Sequence, residues 1–478
     1  MKRAPPGYVM TMARIIGDFS RRWRKAFRLV FAISLLGCWP FAGQADTLPS
    51  CQWPQPPARP PKAIIEIGKV WTGARVDFAA TRENDGYAVG YYDEDRWLTI
   101  ATVAHTTGDI ARQRLDTRFA GWDSHNSVAL AFDRHGLMHV AANMHAERLN
   151  YFRSPAVGEP LARVEMINGD SDLVTYPQFL KNRNGELLFL YRAGTSGNGK
   201  WKVRRWDGTI WQPLGDGPFL SDRGFGGHVS AYPSRFIVAN DNFVHLAIVW
   251  RLTSDASTNV RISYAKTRDF VTWFDSQGRR LAAPLSPETA ETVLHTGPNS
   301  GLLNNAKVSL GPGGRPVIVF TRFDAQGRNT VELAMADHDR WRILPVAISP
   351  RAIPVSGTGS LPDTVAIREV DFTEPERPRL YYRFPGASSV TRVLDPATLA
   401  SACAELERPD SAAAFVEKSI PTMRAQLLRI GPQATLVWSA QPANNDRIRS
   451  CTDEAPRACN PPPSPLRLVI GENPSAGK

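Results

Sequence analysis

Eight side chains between positions 125 and 205 could move protons beside an anion. They are His125, His139, His145, Tyr176, Tyr191, Arg192, Arg204 and Arg205. They lie in two stretches, 125–154 and 175–208, each reading as apolar strand, polar turn with glycine, apolar strand. Ordinary strands do not need so many imidazoles, phenols and guanidinium groups; a site for an acidic sugar does. Elimination across a uronate removes the weakly acidic proton beside the carboxylate. A His or Tyr must take that proton, and another must protonate the leaving oxygen. An Arg must pair with the carboxylate as charge develops on it. Glycoside hydrolysis would instead want two carboxylates across the bond. Asp123, Glu147, Asp170 and Asp172 lie near the cluster but form no evident pair.

The surrounding pattern says what must position these groups. From Ala63 onward the chain repeats an apolar strand, a short turn with Gly, Asn or Asp, and a second apolar strand. About seven such units recur at roughly 50–70 residues, and further strands fill the gaps, which is propeller-blade content. The expected fold is therefore all-β, a seven-bladed β-propeller over residues 63–475. A β-sandwich is the alternative, but seven similar units are too many for one. The segment PATLASACAELERPDSAAAFVEK carries the best helical signal and predicts a short insertion. LRLVIGE near the end predicts a last, closing strand. In a propeller the strand ends of successive blades converge on one channel mouth, so His, Tyr and Arg from neighbouring blades can share a cavity.

The amino terminus reads as a targeting segment. A basic run at Arg21–Lys25 precedes LVFAISLLGCWPFAG and the small residues Gly43 and Ala45, which predicts a signal peptide over 1–45. The apolar run is short and broken for a membrane span. Leu35-Leu36-Gly37-Cys38 loosely resembles a lipobox, so a lipidated Cys38 is the one route to membrane attachment. Residues 46–62 are Pro-rich and read as an extended connector. Residues 1–45 carry eight Lys and Arg against one Asp, so their removal takes the formal charge from +11 to +4. The basic pI is then largely the leader's, and no basic stripe with interleaved aromatics speaks for nucleic acid. Cys51, Cys403, Cys451 and Cys459 remain, an even number suited to disulfides in an oxidising compartment. Three pairings are open, and a bridge between the two ends of the chain is expected. The expected location is periplasmic or secreted, with an outer-membrane lipoprotein as the alternative. The expected partner is an anionic polysaccharide, bound by a monomer.

Several motifs together resemble the BNR-repeat family, and within it the polysaccharide lyases of the ulvan-lyase type. They are Ser124-His125-Asn126; His145 twenty residues on; Tyr176-Pro177; Tyr191-Arg192 with Gly194 and Ser196-Gly197-Asn198-Gly199; Arg205-Trp206-Asp207; and His245 through Trp250-Arg251. Thr267, Asp269 and Trp273 form a degenerate Asp-box. The likeness runs from about His125 to Pro350. It implies a seven-bladed propeller that cleaves a rhamnose–glucuronate linkage by β-elimination. Carried over by position, it makes His125 and His145 pocket histidines, Tyr191 the proton-transfer group and Arg205 the carboxylate clamp. Ala193 departs from the pattern, because an acidic residue is common there. Arg204 and Arg205 are adjacent, so which of them faces the pocket stays open.

Other residues are weighed by their place in the strands. Arg192 follows Tyr191, so a regular strand points it to the opposite face, as a substrate contact or an interblade structural residue. Trp250, Arg251, Tyr232 and His228 are candidate substrate contacts, the last two flanking a loop at Gly224–Gly227. His139 lies inside a strand and reads as core; His135 reads as a solvated turn residue. No cofactor is required, no complete metal-ligand set is visible, and a structural metal ion remains compatible. Two other functions are open: a sialidase-like glycoside hydrolase, whose arginine motif Tyr382-Arg383-Phe384-Pro385 resembles but at the wrong end of the chain, which counts against it, and a non-catalytic glycan-binding propeller.

Overall fold

The computed structural model describes residues 48–471, apart from 52–59, 84–85, 106, 167–172 and 407–409. The segment expected to be a signal peptide, with Cys38, lies outside the described residues, as does most of the Pro-rich connector.

The described chain is all-β. Antiparallel strands follow one another in chain order and make four four-stranded sheets over residues 79–118, 128–163, 307–348 and 366–406. An eleven-stranded sheet spans 174–295. It consists of two antiparallel groups joined through a single parallel bridge, Gly199 to Ser230. The last sheet breaks chain order. Its strands Arg424–Ile430, Ala434–Ala440 and Ser464–Ile470 take up the first strand, Ala63–Val70, as the fourth member. Ala63 sits opposite Ile470 and Val70 opposite Ser464. The expected closing strand is thus real, and it closes on the start of the domain.

One local device explains why the sequence reads as hairpins. Asp93, Asp133, Asn182, Asp275 and Asp324 each open a tight turn. Each side-chain oxygen accepts the backbone N–H groups two and four residues on, as Asp133 does from His135 and Leu137. The residue three on is left-handed, and it is Gly in four of the five, such as Gly136 at φ 82°. A short acidic or amide side chain that satisfies two turn donors, followed by a residue with φ > 0, fixes the register of both flanking strands.

Two disulfides form, Cys51–Cys403 and Cys451–Cys459. The first ties the residues before the domain to the edge strand Ser401–Leu406, where Ser50 also bridges Ala404. That strand corrects the expected helical insertion. Residues 401–406 pair with Val390–Leu394, and only the 3-10 turn Ser411–Phe415 follows. Ladder hydrogen bonds and the disulfide outweigh the Ala-rich helix propensity there, because tertiary pairing routinely overrides a weak local preference.

His139 and His245 occupy matching places in their sheets. Each is buried, and each pairs its Nδ1 with a tyrosine hydroxyl on the next strand, Tyr151 or Tyr264, at 2.6 Å. Burial pushes both imidazoles down to about 4. The unfolded chain binds these protons more readily. Their contribution is therefore complete above pH ~6.5 and is lost as pH falls toward 4, on the order of 3 kcal/mol each. Denaturant titrations across pH 4–7 should show this loss, and His139→Phe should flatten it; an unchanged slope would contradict the assignment.

Candidate functional site

The site is built by strand ends from separate sheets. His125 precedes strand Val128–Phe132, and His145 follows its partner Met138–Ala142. Their rings lie 4.3 Å apart. Asp123 joins them: one carboxylate oxygen accepts from His125 Nδ1 at 2.6 Å and the other meets His145 Nδ1. A carboxylate only accepts, so each ring carries a proton on Nδ1, and in its neutral form leaves Nε2 as the acceptor. Burial opposes ionisation of Asp123, but the two imidazole hydrogen bonds prevail and hold it well below the usual carboxylate range.

Tyr176 enters from the strand Val174–Lys181 on a distorted stretch. The register slips between Thr175 and Gln178, and Tyr176 adopts φ 54°. A bulge re-aims a side chain in this way, and a non-glycine residue at positive φ stores strain that surrounding contacts must hold. The Tyr176 ring stands edge-on to His125 at 5.7 Å. Burial pushes its hydroxyl up to about 12, against the pull of Arg192.

Arg192 is the unusual member. It sits opposite Thr175 on strand Leu187–Thr195 and is 1% exposed. Its guanidinium lies 4.8 Å over the Tyr176 ring, and Nη2 donates to Thr175 Oγ1 at 3.3 Å. Nε and Nη1 are buried without a hydrogen-bond partner among the described residues. Gly199 makes the room, since a Cβ there would fall 2.8 Å from Arg192 Cδ. A second cation, Arg251, is held by Asn259 at 2.8 Å and by the Tyr232 hydroxyl at 3.1 Å. Tyr232 also meets Ser196 Oγ at 2.7 Å.

His125, His145, Tyr176, Arg192, Tyr232 and Arg251 all line one cavity of about 450 Å³. Arg75, Asn304, Asn305 and Ser360 are also in its wall. A larger cleft, about 690 Å³, lies around Asp241, His245, Lys266, Arg315 and Asp337. It mixes charges of both signs, and its buried His245 is committed to Tyr264, so we assign the chemistry to the smaller cavity. Asp123, His125 and His145 also place three ligand-type atoms within 4.8 Å of one another, a set that could hold a metal ion. His and carboxylate ligands of this kind suit zinc or another first-row divalent ion.

The structure puts four expected site residues elsewhere. Tyr191 is fully buried in the core, stacked on Phe189 at 5.4 Å and packed with Trp206 and Trp211. Strand alternation gives the cavity to Arg192 and the core to its neighbour. Arg205 is half-exposed at the level of Leu188 and lies 3.7 Å from Glu186. Trp250 is core, donating to Ser263 Oγ at 3.1 Å. His228 is exposed in a two-residue pairing with Arg223, outside the cavity wall. Tyr176, one of the eight side chains singled out in the sequence, is the phenol in the cavity, although the motif likeness gives the proton-transfer role to Tyr191. Sequence reasoning passed over Asp123 as the joint anchor, which the spacing Asp123-x-His125 could have suggested.

A family model described as a BNR repeat-containing family member matches residues 87–348. The chain belongs to this family. No curated protein matches the chain. Among solved structures, a polysaccharide lyase described as a PL25 ulvan lyase is 14% identical, with TM-score 0.58 over 85% of this chain and 96% of that one. Its complex with -[GlcA(1-4)Rha3S]- gives 0.57 at the same identity and coverage. The polysaccharide lyase Uly1 is 13% identical, with TM-score 0.54 over 83% of this chain and 90% of that one. At such identities the likeness establishes a shared fold.

A buried guanidinium without a counter-ion is destabilising, because desolvation is not offset by attraction. Arg192→Met should therefore stabilise the free protein, by about 1–3 kcal/mol in denaturant unfolding. Destabilisation of that size would mean that Arg192 is a structural residue.

Proposed function

We propose that this BNR-family protein is a polysaccharide lyase that cleaves a uronate-containing glycan by β-elimination. The observation that carries this reading is Arg192, buried beside Tyr176 and the histidine pair with two nitrogens unpartnered among the described residues. A substrate carboxylate is the group such a fork receives best, in bidentate fashion. Arg192 thus takes the clamp role that the motif likeness gave to Arg205, and Tyr176 takes the phenol role given to Tyr191.

The chemistry follows from position. Arg192 binds the uronate carboxylate and stabilises the charge that develops when the adjacent C5–H is broken. His125 Nε2 accepts that proton, with His145 beside it on the shared Asp123 anchor. The electron pair forms the C4–C5 double bond, and the C4–O bond to the leaving sugar breaks. Tyr176, protonated at neutral pH because burial raises it to about 12, donates its proton to the leaving oxygen. Arg251, Tyr232 and Asn304 offer donors to the neighbouring sugars. A rhamnose–glucuronate polymer such as ulvan is the lead substrate.

We read the scaffold as seven blades: the five four-stranded sheets plus the two halves of the eleven-stranded sheet. Closure of the last sheet by the first strand supports that count. The two disulfides fit an exported protein, and the basic leader fits the same route. A monomer needing no cofactor fits a site formed within one chain.

One observation favours a sialidase-like hydrolase instead, namely three arginines, Arg75, Arg192 and Arg251, around one cavity with a tyrosine. Such a hydrolase also pairs its tyrosine with a carboxylate base. Here Tyr176 meets Arg192 and His125, and Asp123 is committed to the imidazoles, which supports the lyase.

Ultraviolet absorbance during incubation with uronate polysaccharides, ulvan included, tests the reading, because elimination creates an absorbing unsaturated uronate. We expect Tyr176→Phe and Arg192→Gln to lose at least ~10²-fold in rate, the usual scale for an acid–base group or charge stabiliser. Tyr191→Phe and Arg205→Ala should stay within about threefold. Reducing sugar released without absorbance would mean hydrolysis, and retention without cleavage would mean a binding module. Asp123→Asn offers one donor and one acceptor where two acceptors are needed, so one imidazole must turn. Its rate should fall about 10²–10⁴-fold, as when a histidine is left in the wrong tautomer.

A further inference from the structure

The connection between strands Ala434–Ala440 and Ser464–Ile470 is far longer than a hairpin needs, although the two strands pair directly. Long ordered connections in compact domains are usually functional. This one is stapled by Cys451–Cys459 and braced by Arg449, which donates to the carbonyls of Pro442 and Ala443 at 3.0 and 2.9 Å. It carries two consecutive non-glycine residues in the left-handed region, Asn445 at φ 50° and Asp446 at φ 59°. Such strain persists only where neighbours enforce it, and it concentrates at functional sites.

The neighbours are on a different sheet's loop. Asn445 N donates to Ser360 O at 2.9 Å, and Ser360 N donates to both Asp446 carboxylate oxygens at 3.3 Å. Gly359, at φ 75°, has no room for a side chain: a Cβ would lie 2.6 Å from Asp446 Oδ2. Ser360 Oγ in turn meets Ser124 Oγ and lies 3.4 Å from His125 Nδ1. Asp446 Oδ2 itself is 3.8 Å from that same Nδ1. Among the described residues, His145 Nδ1 pairs with Asp123 only, whereas His125 Nδ1 also faces Ser360 and Asp446.

We propose that Asp446 is a positioning residue for His125. It anchors Ser360 and puts a second acceptor behind Nδ1, so that His125 keeps its Nδ1 proton and presents Nε2 to the cavity. The proposal rests on the lyase reading for its kinetic consequence, but its structural content stands apart from it. The disulfide-stapled segment then supports the site from behind Ser360, which itself lines the cavity.

Asp446→Asn in the full disulfide-bonded chain is the test. The amide can still accept from Ser360 N but loses the charge and gains a donor that competes with Nδ1–H. We expect kcat to fall about tenfold with KM within twofold. Nitrogen-15 NMR of the neutral His125 ring should show a shift from the Nδ1–H toward the Nε2–H tautomer. Asp453→Asn, exposed on the same segment, should change neither kcat nor the tautomer. An Asp446→Asn protein with unchanged kcat or an unchanged His125 tautomer would overturn the proposal, and so would a rise in KM alone. Should that variant fail to fold, Ser360→Ala is measured in the same two ways: the same losses are expected, and their absence overturns the proposal. If the unmodified protein eliminates no glycan, the lyase reading falls, while the NMR measurement on the free protein still decides the positioning role.

Discussion

A buried guanidinium that finds no carboxylate among the described residues of its own fold is the constraint around which the rest of this structure is arranged. Arg192 lies on an inner strand between Thr175 and Trp201, over one phenol and bonded to one threonine. Desolvating a charge costs several kcal/mol unless something pairs with it. Natural proteins tolerate that cost at positions where a ligand supplies the missing charge. The bulge that brings Tyr176 beneath the guanidinium and the glycine that yields to its stem are both fitted to this one side chain.

The second fixed point is Asp123, which gives one oxygen to each imidazole. That arrangement sets both tautomers and turns both free nitrogens away from the carboxylate. Arg192 and the histidine pair therefore stand as an electrophilic and a basic half, with Tyr176 between them. The division matches the needs of proton abstraction beside a carboxylate more closely than it matches displacement at a sugar carbon.

Much of the architecture was legible because each turn is chemically marked. An Asp or Asn followed by a left-handed residue, flanked by apolar alternation, recurs at Asp133, Asn182, Asp275 and Asp324. The closing strand was readable from LRLVIGE. The Ala-rich segment at 396–418 misled, because helix propensity is weak against a ladder and a disulfide that no local window contains. In the site, the motif likeness pointed to His125 and His145, whose rings lie 4.3 Å apart in one cavity. The same likeness pointed to Tyr191 and Arg205, which do not line that cavity, since motif position does not say which face of a strand a residue takes. At Tyr191-Arg192 alternation separated the two residues but could not choose between them. At Tyr176 the bulge suspends alternation altogether. Asp446 and Ser360 reach His125 from more than two hundred residues away, and nothing local announces them.

If Arg192 is the receptor for a substrate carboxylate, as proposed, calorimetric titration of the catalytically disabled Tyr176→Phe protein with a glucuronate-containing oligosaccharide and with its carboxyl-reduced counterpart will show it. The acidic oligosaccharide should bind at least tenfold more tightly, and Arg192→Gln in the same background should remove the difference. Equal affinity for the two oligosaccharides, or a preference that survives loss of Arg192, would contradict that role.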